Sequence, residues 1–157
     1  MDEGRTTSPL PMTAFERTEL PYLHIAFRQD LDVLFCRWRA AVDLSQFAEG
    51  YMTTLEIATR QQAHFWLQDF RLRNVSSELE QAWFESSFVP AVKIALGNST
   101  CIAYLMSPLQ RELSLSDAFI SLRETVRYGN HLTTAYFVSE HDALDWLNQC
   151  RLQAISR

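Results

Sequence analysis

The residues best placed to do chemistry in this 157-residue chain lie close together: Asp69 and Arg71, then Arg73 and Asn74, then the serines Ser76 and Ser77. A carboxylate two positions from a guanidinium can pair with it and with the amides of its own turn, or both charges can face a partner. Ser76 or Ser77, just before Glu78, Leu79 and Glu80, has the character of a helix N-cap. The serine oxygen accepts from a first-turn amide, and the acids beside it complement the positive end of the helix dipole. Other reactive types are scattered. His24, His64, His131 and His141 lack the i, i+4 spacing of helical metal ligands, so neither a metal nor a general base is assigned to them. Cys36, Cys101 and Cys150 form no CxxC pair, and two of them fall in expected strands, which favours buried, reduced thiols over disulfides or zinc. No G-x-S-x-G elbow, phosphate loop or Rossmann glycine pattern occurs, and only 4 glycines are available to bring backbone close to a phosphate. These absences point away from an enzyme and from a cofactor, although a site assembled across a fold needs no local motif.

The surrounding elements decide where that segment sits. Phe65, Trp66 and Leu67 read as a buried strand followed by a polar turn, and the helix expected from Ser76 carries Leu79, Ala82 and Trp83 at helical spacing until Pro90 breaks or kinks it. In an α/β sheet, the carboxyl end of such a strand is where ligands and partners are met. Upstream, Leu23, Ile25 and Phe27 alternate with His24 and Arg28, while Leu34, Cys36 and Trp38 alternate with Phe35, Arg37 and Arg39. Two strands joined by a turn at Gln29–Asp32 therefore form an antiparallel hairpin. Asp43-x-x-Gln46 has the form of a capping box, opening a helix with Phe47, Tyr51 and Leu55 as its inner stripe. Downstream come a strand from Thr100 to Ser107 and a helix from about Ser114 to Tyr128 with Leu115, Phe119, Leu122 and Val126 inward. A strand from Leu132 to Val138 and a helix capped by Ser139, running to about Leu152, complete the chain. The order β-β-α-β-α-β-α-β-α describes an α/β fold whose sheet is mainly parallel after the N-terminal antiparallel hairpin.

A hydrophobic content of 47% suits one domain with a single core, expected over residues 21–152. Residues 1–20, rich in Thr, Ser, Pro and acids, read as a flexible lead-in, and 153–157 as a short tail. The net charge of -5 argues against nucleic acid as a partner, since that needs a concentrated basic surface. No apolar run approaches the roughly 20 residues of a membrane span. The start MDEGRTTSPLPM has no apolar stretch of a signal peptide, so a cytoplasmic location is expected.

Several of these segments, namely PYLHIAFRQDLDVLFCRW, the strand FWLQDFR, the helix with QAWFESSFVPA and the closing YFVSEHDALDWL, together resemble the small stand-alone bacterial STAS-like proteins. The resemblance covers roughly residues 21–150 and implies the βα superhelix of the anti-sigma-factor antagonists. In that branch a serine after the third strand is phosphorylated by an anti-sigma-factor kinase, within a motif Asp-Ser-Ser/Thr-Gly. This chain has Asn74-Val75-Ser76-Ser77-Glu78 there. Two serines thus stand in position for phosphorylation without the flanking Asp and Gly, and Glu78 and Glu80 would oppose a phosphate beside them.

The leading expectation is a non-catalytic regulatory module that binds a protein partner through Asp69, Arg71, Arg73, Asn74, Ser76 and Ser77. A second is a small-ligand module: STAS-like domains are related in shape to lipid-binding CRAL-TRIO domains, and a cavity beside Trp83 and Phe88 would hold a lipid or nucleotide. An enzyme without a local motif is the third. If helices cover only one sheet face, then Phe35, Trp66, Tyr104 and Tyr136, flanked by Arg37 and Arg39, form an open aromatic face suited to a homodimer. The alternative is that these rings are buried beneath helices or the N-terminal segment.

Overall fold

The structure is a computed structural model that describes residues 15–116 and 125–155. The alternating segments on either side of Gln29–Asp32 pair antiparallel as β2 (Leu23–Arg28) and β3 (Val33–Trp38), with Ile25 opposite Cys36. Asp32 closes the turn at φ 56°, a left-handed conformation that short polar side chains tolerate. A further strand, β1 (Phe15–Leu20), pairs antiparallel with β2, so residues 15–20 belong to the sheet and are not lead-in. Its sequence FERTEL interleaves charges with few apolar residues, as suits a sheet edge, and offers no hydrophobic run to read.

Asp43 caps α1 (Leu44–Gln61) by the expected reciprocal pair: its carboxylate accepts from the Gln46 amide at 2.8 Å, and the Gln46 side chain accepts from the Asp43 amide at 3.0 Å. Phe47, Tyr51 and Leu55 are buried. Gly50 matters to this packing, because a Cβ there would lie 2.5 Å from the Trp38 ring.

Strands β4 (Phe65–Asp69), β5 (Thr100–Leu105) and β7 (Leu132–Phe137) add in parallel to β3, while β6 (Val126–Tyr128) pairs antiparallel with β7 at the edge. The seven-stranded order is β1-β2-β3-β4-β5-β7-β6. Its parallel centre agrees with the sequence reading, and β1 and β6 are additions to it.

Between β4 and β5 the chain forms α2 (Glu78–Trp83), a π-turn (Phe84–Phe88) and α3 (Val89–Leu96). The Val89 amide donates to the Phe84 carbonyl, one residue wider than an α-helical bond. Pro90, which has no amide to donate, falls in the first turn of α3, so the helix continues through it. Leu79 and Ala82, which the sequence reading set at helical spacing with Trp83, are exposed, whereas Glu80, Phe84 and Phe88 are buried.

α4 (Pro108–Ser116) starts earlier than expected. Ser107 and Gln110 form a second reciprocal cap, with the Gln110 amide donating to the Ser107 hydroxyl at 3.1 Å and the Ser107 amide to Gln110 Oε1 at 2.8 Å. Residues 126–128, read as the end of that helix, are instead strand β6, and Phe119 and Leu122 lie outside the described residues. α5 (Glu140–Ile155) runs past the expected Leu152 into the segment read as tail, and the Ser139 hydroxyl accepts from its Asp142 amide at 3.3 Å.

Helices cover both faces of the sheet. On one, Ile25, Leu34, Trp38, Trp66 and Ile102 pack beneath α1 and α3; on the other, Phe35, Leu67, Ala103 and Leu105 pack with Ala143 and Leu147 of α5. The alternation of strand side chains puts Phe35 on the opposite face from Trp66, Tyr104 and Tyr136, and both sets of rings pack into hydrophobic clusters. The open aromatic face is therefore not formed. Among the described residues no helix is long and apolar enough to cross a membrane.

Candidate functional site

Arg37 and Asp69 are register partners at the carboxyl ends of the parallel strands β3 and β4, so their side chains leave the same face side by side. Asp69 Oδ1 accepts from the Arg71 amide at 3.1 Å and from Arg71 Nε at 3.0 Å; Oδ2 accepts from Arg71 Nη2 at 2.9 Å and Arg37 Nη1 at 2.8 Å. Arg37 also forks onto Glu140, the first residue of α5, at 3.0 and 3.2 Å. Arg71 approaches the same carboxylate at 3.7 Å. Two cations and two anions thus neutralise one another and pin the start of α5 to the ends of β3 and β4.

Burial alone would raise the Asp69 carboxyl, but hydrogen bonds from the Arg71 side chain and amide and from Arg37 outweigh it and hold its pKa below the ordinary value. An ionised carboxylate whose acceptor sites are occupied by donors is a poor proton acceptor, which makes this network architectural. The depressed folded-state pKa means that its stabilisation is complete above the unfolded value and is lost as pH falls through the folded one. Wild-type stability should accordingly drop steeply below about pH 4. Asp69→Asn should lower stability at neutral pH and flatten that acid limb, as read by urea unfolding at stepped pH. An acid limb of unchanged slope would show that Asp69 does not contribute to it.

Beneath the network the turn is anchored from three directions. The Arg73 guanidinium, with side-chain exposure of 0%, donates to both Glu80 oxygens at 2.8 and 3.0 Å and lies over the rings of Phe47, Phe70 and Trp38 at 5.1, 5.2 and 5.9 Å. The Asn74 amide group brackets Val42, accepting from its N–H at 3.0 Å and donating to its carbonyl at 3.2 Å. Gln110 Nε2 donates to the Phe70 and Arg73 carbonyls at 2.6 and 2.9 Å. Nearby, Trp38 Nε1 donates to the buried Gln68 at 2.7 Å.

These contacts redistribute the roles read from sequence. Arg73 is buried and cannot meet a partner, and the Asn74 amide group is committed to Val42 and to the Arg73 guanidinium. Ser77 is the cap, accepting from the Glu80 amide at 3.1 Å, whereas Ser76 is half-buried and does not cap the helix. Arg71 stays at the surface with Arg39 and with Leu72, which is 71% exposed. A shallow groove of about 490 Å³ runs between these three over Arg37, Asp69 and Glu140. Trp83 and Phe88, expected beside a ligand cavity, stack on each other with centroids 6.2 Å apart.

Gln110, Glu140 and Leu72 did not figure in the sequence reading of this site, and Glu80 figured there only as an acid in the first turn of the helix, not as the partner of Arg73. The spacings Ser77-x-x-Glu80 and Ser107-x-x-Gln110 are legible capping boxes that mark Glu80 and Gln110. Glu140 reaches Arg37 across 103 positions and leaves no local signal. Among the described residues, no group of three or more His, Cys, Asp or Glu side chains is placed to hold a metal ion. No protein-family model, curated protein or solved structure matches the chain.

Proposed function

We propose that this chain is a non-catalytic protein-interaction module, a cytoplasmic bacterial regulator of STAS-like type, that docks a protein partner along Arg39, Arg71 and Leu72 at the carboxyl ends of β3 and β4. The observation that carries this reading is the shallow groove floored by the self-neutralised Arg37–Asp69–Glu140 network and edged by an exposed leucine. Arg39 and Arg71 beside Leu72 fit a segment that offers a carboxylate and an apolar side chain. The likeness to STAS regulators is supported by the hairpin followed by a parallel βα progression.

Docking in this reading is independent of phosphorylation. Ser77 already serves as cap, and a phosphate on it would face Glu78 and Glu80. The test is the double variant Arg39→Glu, Leu72→Glu, both at exposed positions where substitution moves stability by no more than about 0.5 kcal/mol. Quantitative affinity capture should recover a partner with the wild type and lose it with the variant, at unchanged thermal unfolding midpoint. Retention of every wild-type partner by the folded variant would show that this edge is not the docking surface.

A further inference from the structure

At the opposite, amino-terminal end of the parallel strands lies a second cleft of about 530 Å³, between the last turns of α5 and the β5-β7-β6 edge. Cys101, Thr133 and Arg127 stand in one register row across β5, β7 and β6, so all three face the same side. Cys150 comes down from α5 to line the same cleft as Cys101, and both cysteines pack against the Phe35, Leu67 and Leu105 cluster. Both cysteines are free but only half-buried, which corrects the expectation of buried thiols for these two. Cys36 keeps to that expectation: it is fully buried and its thiol is pushed up to about 12 by desolvation.

We propose that Cys101 and Cys150 form a redox-active dithiol that a hydroperoxide oxidises to an intramolecular disulfide. Cys150 is the attacking thiol. The hydrogen bond from Cys101 stabilises its thiolate, as does the positive charge of Arg127, the charged residue among the lining of the cleft, and together they outweigh burial to lower its pKa. The Cys150 thiolate attacks the proximal peroxide oxygen, the O–O bond breaks, and the departing oxygen leaves as hydroxide or alkoxide that takes up a proton to become water or an alcohol. The resulting sulfenic acid is attacked by the Cys101 thiol, an S–S bond forms, the S–O bond breaks and water leaves. The two thiols lose two electrons in all, and the peroxide gains them. Closing the bond brings the two sulfurs to about 2.05 Å from each other.

The test uses the full, reduced chain treated with hydrogen peroxide at neutral pH. Intact mass should fall by two hydrogens, peptide mapping should give a Cys101–Cys150 cross-link, and Cys36 should remain a thiol. Cys101→Ser should stop at a sulfenic acid on Cys150 that dimedone traps. In the wild type, the pH midpoint for Cys150 alkylation by iodoacetamide should lie below the ordinary thiol value of about 8.5. Arg127→Gln should raise that midpoint. An ordinary midpoint, or peroxide treatment that modifies single cysteines without the cross-link, would overturn the proposal. Because this cleft and the Arg39–Leu72 edge occupy opposite ends of the sheet, failure at one leaves the other standing.

Discussion

Glu80→Ala should lower the unfolding free energy by about 3–5 kcal/mol, the range expected when one partner of a buried ion pair is removed. Its loss leaves the Arg73 guanidinium walled in by Trp38, Phe47 and Phe70, with only the Asn74 side-chain oxygen, at 3.2 Å, still accepting from it. Half of the Ser77 capping box goes as well. Urea unfolding followed by circular dichroism reads the effect as a lower midpoint at unchanged slope. The double change Arg73→Met, Glu80→Leu should recover most of the loss, because apolar residues of similar volume often replace a buried pair without penalty. A Glu80→Ala loss below about 1 kcal/mol, the range of surface pairs, would mean that water reaches this cation in solution.

That pair also marks where sequence reasoning reaches its limit. The β2–β3 hairpin was legible because Leu23, Ile25, Phe27 and Leu34, Cys36, Trp38 repeat every second residue and one face is buried, which fixes the register. α1 was legible from Asp43 and Gln46, whose cap is local. α2 was not, because a periodicity reading turns apolar residues inward, whereas Arg73 draws Glu80 inward and leaves Leu79 at the surface. β1 and β6 escaped notice for different reasons: one is a charged edge strand, and the other is three residues long and gains its identity from pairing with β7. At the candidate site, Asp69 and Arg71 could be recognised as a pair within one turn. The Arg37 and Glu140 partnership depended on strand order and on where α5 begins, which are properties of the assembled sheet.

Trp38→Ala is the second large expectation, again a loss of about 3–5 kcal/mol, toward the upper end of that range. Trp38 is fully buried and stacks near Tyr22 and Phe47 with centroids 6.0 and 5.8 Å away, and it meets the edge of Phe70 at 6.0 Å. Its removal leaves a cavity and deprives the buried Gln68 oxygen of its donor, an additional penalty beyond lost volume. Trp38→Phe should keep most of the packing and forfeit chiefly the Gln68 bond, about 1–3 kcal/mol. Since Trp38 and Arg73 touch, Trp38→Ala combined with Glu80→Ala should depart from additivity, and thermal unfolding of the double variant measures that coupling. Strict additivity would separate the aromatic cage energetically from the ion pair it surrounds.

The π-turn has a rotational meaning. Glu80, Phe84, Phe88, Val92 and Leu96 are all buried and recur every four residues. In a regular α-helix four residues overshoot a full revolution by about 40°, so four such steps would carry Leu96 far round the axis from Glu80. The wider turn at Phe84–Phe88 winds more slowly and cancels part of that drift. It works as a vernier on the helix, letting one continuous segment begin by delivering a carboxylate to a buried cation and end by delivering aliphatic side chains to the core, without a loop to change direction between the two tasks.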